Sequence, residues 1–133
     1  MAQPLDGKTV VLGVTGSIAC YKAADLASKL VQSGAAVKVM LSHSARKFVS
    51  PLTFSGITNQ PVITDLFEDE QGSGIGHINL ANQADILVAA PSTANLIAKL
   101  SNGIADDAFT TTVLASKAPL LPVSYTHLRA HET

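Results

Sequence analysis

Three short apolar runs constrain this chain most: KTVVLGV (8–14), AAVKVML (35–41) and DILVAA (85–90). They are strand-length and rich in valine, and each gives way to a glycine- or hydroxyl-bearing turn and a helix-like stretch. After the first run, Ala23, Ala27, Leu30 and Val31 repeat at i, i+4, i+7 and i+8. That is one stripe of a helix opening at Ser17 and Ile18 and ending near Gly34. Near-continuous apolar strands suit a parallel sheet covered on both faces. The alternation predicts an α/β fold, a doubly wound parallel sheet with helices on both faces and ligands at the carboxyl ends of the strands.

The remaining segments extend that pattern. SARKFV starts a short helix that Pro51 limits, and PVITDLF (61–67) reads as a weaker strand. EDEQGSGIG (68–76) is an acidic, glycine-rich loop, and HINLANQA fits two helical turns. LIAKLSNG is helical to Gly103, DDAFTTTVLAS (106–116) is a helix capped by Asp106 or Asp107, and APLL (118–121) begins another strand.

Composition narrows the class. At 133 residues the chain holds one domain. Charged residues are 14%, well below the ~25% of an average soluble protein, so little of the surface is charged, as in an oligomer subunit. A net charge of −1 gives no electrostatic case for nucleic acid or an anionic membrane. No apolar run approaches the ~18 residues of a membrane span. Cys20 stands alone, so no disulfide framework exists, and MAQPLDGKTV lacks the basic and apolar regions of a signal peptide. The expected compartment is the cytoplasm.

PVSYTHLRAHET (122–133) breaks the pattern. His127 and His131, at i and i+4, would invite a metal hypothesis. Back-translated from Val123, however, the segment resembles a transposase-type sequencing adapter read in frame. It is therefore set aside from fold and site, no metal is expected, and the domain is taken as residues 1–121, C-terminally incomplete.

Three strand ends and one histidine can carry chemistry. In GVTGS, Gly13 and Gly16 permit close backbone approach, and the helix start at Ser17 and Ile18 offers N–H groups and a positive dipole end to an anion. The spacing is neither a dinucleotide fingerprint nor a Walker loop. LSHS (41–44) brings Ser42 and Ser44 to the same crevice, although helix capping explains them equally well. In AAPSTAN (89–95), Pro91, Ser92, Thr93 and Asn95 offer polar groups on which a planar ring could rest. Together these ends suit a mononucleotide, and no acidic residue ends the second strand to hold a dinucleotide's ribose. His77 leaves the glycine-rich loop near the crevice, with a pKa suited to proton transfer. Asp106 and Asp107 read as caps, GSGIG (72–76) has no strand before it, and Cys20 reads as packing.

GVTGSIACYKAADL, FVSPLTFSGIT and GHINLANQADILVAAPSTANLIAKLSNGIADD together resemble the phosphopantothenoylcysteine decarboxylases of coenzyme A biosynthesis, over about residues 7 to 121. The resemblance implies a Rossmann-like flavoprotein that binds FMN between the subunits of a trimer or dodecamer. In many bacteria such a domain is fused to phosphopantothenate–cysteine ligase. By motif, Gly16, Ser17, Ile18, Ser42, Ser44, Pro91, Ser92, Thr93, Ala94 and Asn95 would surround FMN. Phe48 would lie near the flavin, and His77 matches the active-site histidine.

The implied reaction takes 4'-phosphopantothenoylcysteine to 4'-phosphopantetheine. The cysteine thiol is oxidised to a thioaldehyde, CO2 leaves, and the enethiol is reduced by the flavin. His77 would bind substrate and move protons. The family's Pro-Ala-Met-Asn stretch and flap cysteine are missing where the tail begins, so weak or no turnover is expected of this chain alone. A peptidyl-cysteine decarboxylase shares these motifs. A flavin prenyltransferase shares the fold, but GVTGS and His77 argue against it. A non-catalytic flavin-binding subunit would be indifferent to His77→Asn.

Overall fold

The computed structural model describes residues 3–64 and 75–124. Four strands, β1 (Thr9–Val14), β2 (Ala36–Leu41), β3 (Ile86–Ala89) and β4 (Leu120–Pro122), form a parallel sheet in the order β2-β1-β3-β4. Between them lie α1 (Cys20–Gln32), a 3-10 turn (Ala45–Lys47), α2 (Pro51–Thr58), α3 (Ile75–Gln83), α4 (Ala94–Ser101) and α5 (Ala108–Ala115). The expected parallel α/β sheet is the one observed.

Strand alternation divides the core into two layers. Val10, Leu12 and Val14 face one side with Val37, Val39 and Leu41, against Ala23 and Ala27 of α1 and Phe54 of α2. Val11, Met40, Leu87 and Ala89 face the other, against Leu96 of α4 and Phe109 of α5. The stripe read from α1 is real: Ala23 and Ala27 are fully buried, while Leu30 and Val31 pack at the cluster's margin. Burying a Leu- or Phe-sized side chain contributes about 1.5–3 kcal/mol, so these layers hold the sheet together.

Several local expectations change. α1 opens at Cys20, not Ser17: the Ser17 carbonyl accepts the Cys20 N–H (3.0 Å) and Ser17 Oγ accepts the Ala19 N–H (3.1 Å), making a turn ahead of the helix. The short helix expected in SARKFV is the 3-10 turn, which stops before Pro51 with Ser50 extended, and Pro51 itself begins a further helix, α2. Ser50 is its N-cap, accepting the Leu52 N–H, and Pro51 takes the first position, where a missing N–H costs nothing. Within PVITDLF, Ile63 bridges Met40 of β2; the segment past Thr64 lies outside the described residues. The glycine-rich loop lies outside them up to residue 74, and Ile75 and Gly76 are already helical.

Gly13 is a packing position. A Cβ there would clash with three atoms of the Phe109 ring, so the aromatic side chain of α5 seats directly on the β1 backbone. Gly13→Ala is therefore expected to destabilise the fold by about 1–3 kcal/mol or more in urea unfolding. The cost should shrink in a Phe109→Leu background. Equal costs in both backgrounds would contradict the contact.

Candidate functional site

The parallel sheet delivers three strand ends to one edge, and the turns after them enclose a pocket of about 370 Å³. Thr15 and Gly16 come from the turn after β1, and Ser42, His43 and Ser44 from the turn after β2. Thr93, the N-cap of α4, joins Asn95, Leu96 and Lys99 of that helix, and Asp106 and Asp107 come from the connection to α5.

Each wall has a local cause. Gly16 lacks a Cβ where one would strike the Ser44 side chain and backbone, so the first two turns close on each other only with glycine there. Ser42 Oγ accepts the Ala45 N–H (3.1 Å) and lies 3.3 Å from Ser44 Oγ. Thr93 caps α4 by accepting the Leu96 N–H (3.2 Å). Lys99 lies four residues after Asn95 and three after Leu96, the spacings that place it on the same helix face as each of them. Lys99 Nζ pairs with Asp106 at 3.1 Å, holding the α4–α5 connection against the pocket. Asp107 is occupied by a capping box, accepting the Thr110 N–H (2.8 Å) and Thr110 Oγ1 (2.7 Å). The capping role expected of this pair thus falls to Asp107, while Asp106 makes the ion pair.

Among the expected residues, Gly16, Ser42, Ser44, Thr93 and Asn95 line the pocket. Ser17 and Ile18 continue the first turn beside it, with Ile18 75% exposed. Pro91 is buried behind the wall, Ser92 Oγ is enclosed with no hydrogen-bond partner, and Ala94 opens α4 on the surface. Phe48 is half exposed and outside the walls. His77 is a first-turn residue of α3, and its side chain lies outside the described ones. α3 leads directly into β3, and its Ala81 carbonyl accepts Ser116 Oγ–H just before β4. The far end of α3, with His77, therefore points toward the strands' carboxyl edge. Among the described residues no cluster of metal-ligating side chains exists, and no helix is long and apolar enough to cross a membrane.

Sequence reasoning missed Thr15, His43, Leu96 and Lys99. The spacing of Asn95 and Lys99 was the available signal for Lys99; Thr15 sat unremarked inside GVTGS.

The donor set suits a flavin nucleotide. Thr15, Ser42, Ser44 and Thr93 bring hydroxyls and Asn95 an amide beside the charged Lys99, Asp106 and Asp107, and the N–H groups of Gly16 and Ile18 meet no acceptor among the described residues.

The sequence profile of the flavoprotein family matches residues 1–131. The chain belongs to that family. Its cofactor class is accordingly flavin. Among curated relatives, the coenzyme A biosynthesis bifunctional protein CoaBC of Bacillus subtilis (strain 168) is 50% identical over 129 residues, 96% of this chain and 32% of that protein. The CoaBC protein of Escherichia coli (strain K12) is 40% identical over 116 residues, 87% and 29% respectively. The chain thus spans about a third of the length of these relatives. Among solved structures, the FMN-dependent cysteine decarboxylase TvaF from thioviridamide biosynthesis superposes with a TM-score of 0.78 at 29% identity, over 86% of this chain and 70% of that one. A PPC decarboxylase variant complexed with pantothenoylaminoethenethiol gives 0.69 at 31%, over 85% and 64%.

Cys20 bears on the flavoprotein turn from behind. It is fully buried, donates its thiol proton to the Thr15 carbonyl (2.9 Å) and accepts the Ser17 N–H (3.4 Å). Burial pushes its pKa up, partly offset by the Ser17 N–H. A raised folded-state pKa means that the neutral thiol's contribution to stability is present below the unfolded thiol's pKa. It is lost as pH rises through the folded value. Unfolding midpoints measured from neutral to alkaline pH should fall in the wild type and fall less in Cys20→Ala. Parallel slopes would contradict the assignment.

Proposed function

We propose that this flavoprotein chain binds FMN in the pocket at the strand ends and carries the decarboxylation of 4'-phosphopantothenoylcysteine in coenzyme A biosynthesis. The observation that supports this reading most is the 50% identity to a CoaBC protein over 96% of the chain. The residues of the pocket fit the cofactor. Gly16, Ser17 and Ile18 would hold the phosphate on main-chain N–H groups, helped by the Ser42 and Ser44 hydroxyls. Pro91, Ser92, Thr93, Ala94 and Asn95 would support the ring system, with Phe48 near it. The flavin, when bound, supplies the two-electron exchange that makes the cysteine carboxylate a leaving group.

The protein's part is orientation and proton movement. His77, at the opening of α3, binds the substrate and exchanges a proton with it. The compartment is the cytoplasm. Assembly as a trimer or dodecamer, with FMN at the subunit boundary, belongs to the same reading. The exposed Ile18, Tyr21, Phe48 and Leu52 support it, since large apolar side chains left at the surface favour a covering subunit. The fused ligase domain is proposed from the bifunctional relatives. Residues 122–133 are read as adapter-derived. Pro122 and Val123 nevertheless continue the pairing beside β3, the Val123 N–H reaching the Ala89 carbonyl at 2.7 Å, because main-chain bonding is indifferent to side-chain identity.

A second reading, peptidyl-cysteine decarboxylation, shares these motifs, and a cysteine decarboxylase outside coenzyme A biosynthesis, TvaF, superposes with a TM-score of 0.78 against 0.69 for the PPC decarboxylase variant. In the intact gene product, His77→Asn should keep FMN while CO2 release from phosphopantothenoylcysteine drops by about 100-fold or more, as for a lost acid–base group. Unchanged release would remove His77 from the mechanism. Release only from peptides ending in cysteine would replace the first reading with the second.

A further inference from the structure

The Thr15 hydroxyl is the only side-chain hydrogen bond, among the described residues, that joins the turn after β1 to the turn after β3. Main-chain pairing between these strands ends where the Ala90 N–H meets the Gly13 carbonyl (2.9 Å). Beyond that point the two chains separate to form opposite sides of the pocket. Thr15 Oγ1 donates to the Pro91 carbonyl and extends the connection past the end of the ladder. The residue is 8% exposed, so the bond is shielded from water.

Thr15 is held from a second direction. Its own carbonyl accepts the Cys20 thiol proton at 2.9 Å, and Cys20 Sγ in turn accepts the Ser17 N–H at 3.4 Å. The backbone on both sides of Gly16 is thereby tied to α1. On the other side, the Pro91 carbonyl is two residues ahead of Thr93, the N-cap of α4. Shifting Pro91 would move the pocket face of that helix.

We propose that Thr15 is a positioning residue for the flavin pocket: its hydroxyl sets the spacing between the phosphate-side turn and the α4 side. This rests on the flavin reading of the pocket and names a residue that reading does not use. Thr15→Val keeps the shape of the side chain but removes the donor, leaving the Pro91 carbonyl unpaired. Thr15→Ser keeps the donor and removes only the methyl group.

The test is titration of the 133-residue chain and both variants with FMN, followed by flavin fluorescence, alongside thermal melting of each flavin-free protein. The expected result is FMN affinity weakened roughly tenfold in Thr15→Val, the scale of one buried hydrogen bond, with wild-type affinity restored in Thr15→Ser. Thr15→Val binding FMN as tightly as wild type would overturn the inference. So would Thr15→Ser weakened tenfold against wild type, an outcome that decides the matter even if the valine variant fails to fold. Wild type that binds no FMN would overturn the flavin reading itself and this inference with it.

Discussion

Parallel pairing of β1 on both of its edges is the constraint from which the site follows. With β2 on one side and β3 on the other, all running the same way, three strands must finish at one edge of the sheet. Their turns then meet whether or not a ligand is present. Helices on both faces supply the apolar cover that such strands require. Phe109, resting on the bare backbone at Gly13, fixes α5 close to the last turn of β1. The pocket is a consequence of that arrangement.

Within the convergence, closeness is obtained by omission and by small polar groups. Gly16 has no side chain, so the Ser44 turn can approach it. Thr15, Ser42 and Thr93 use short hydroxyls to secure main-chain groups at the three turns. The single charged pair of the wall, Lys99 with Asp106, serves the loop between α4 and α5. Such a surface recognises a ligand by directed hydrogen bonds, which matches a family defined by flavin rather than by a metal or a polyanion.

Much of this was readable from residues because it was local. The valine-rich runs could hardly be anything but buried strands, and the small residues following three of them marked the crevice before any coordinates. What escaped notice was long-range or depended on a local competition. Gly13 was read as leaving room for an anion, because its true neighbour, Phe109, lies far along the chain. The Ser17 start of α1 was displaced because Cys20 and Ser17 satisfy each other in a turn first. Ser50–Pro51, the N-cap and first position of α2, was read only as the limit of the helix before it. Lys99 shows in the sequence only through its four-residue spacing from Asn95; its pairing with Asp106 is visible only in the fold.

The central claim is that the three strand ends form one flavin-binding pocket. The most direct measurement is a set of amide nitrogen–proton correlation spectra of the isotopically labelled chain during addition of FMN. The account predicts concerted shifts at Gly16, Ser44 and Asn95, one amide from each of the three turns, saturating together. Shifts confined to one turn, or lying on residues remote from the carboxyl edge of the sheet, would contradict it.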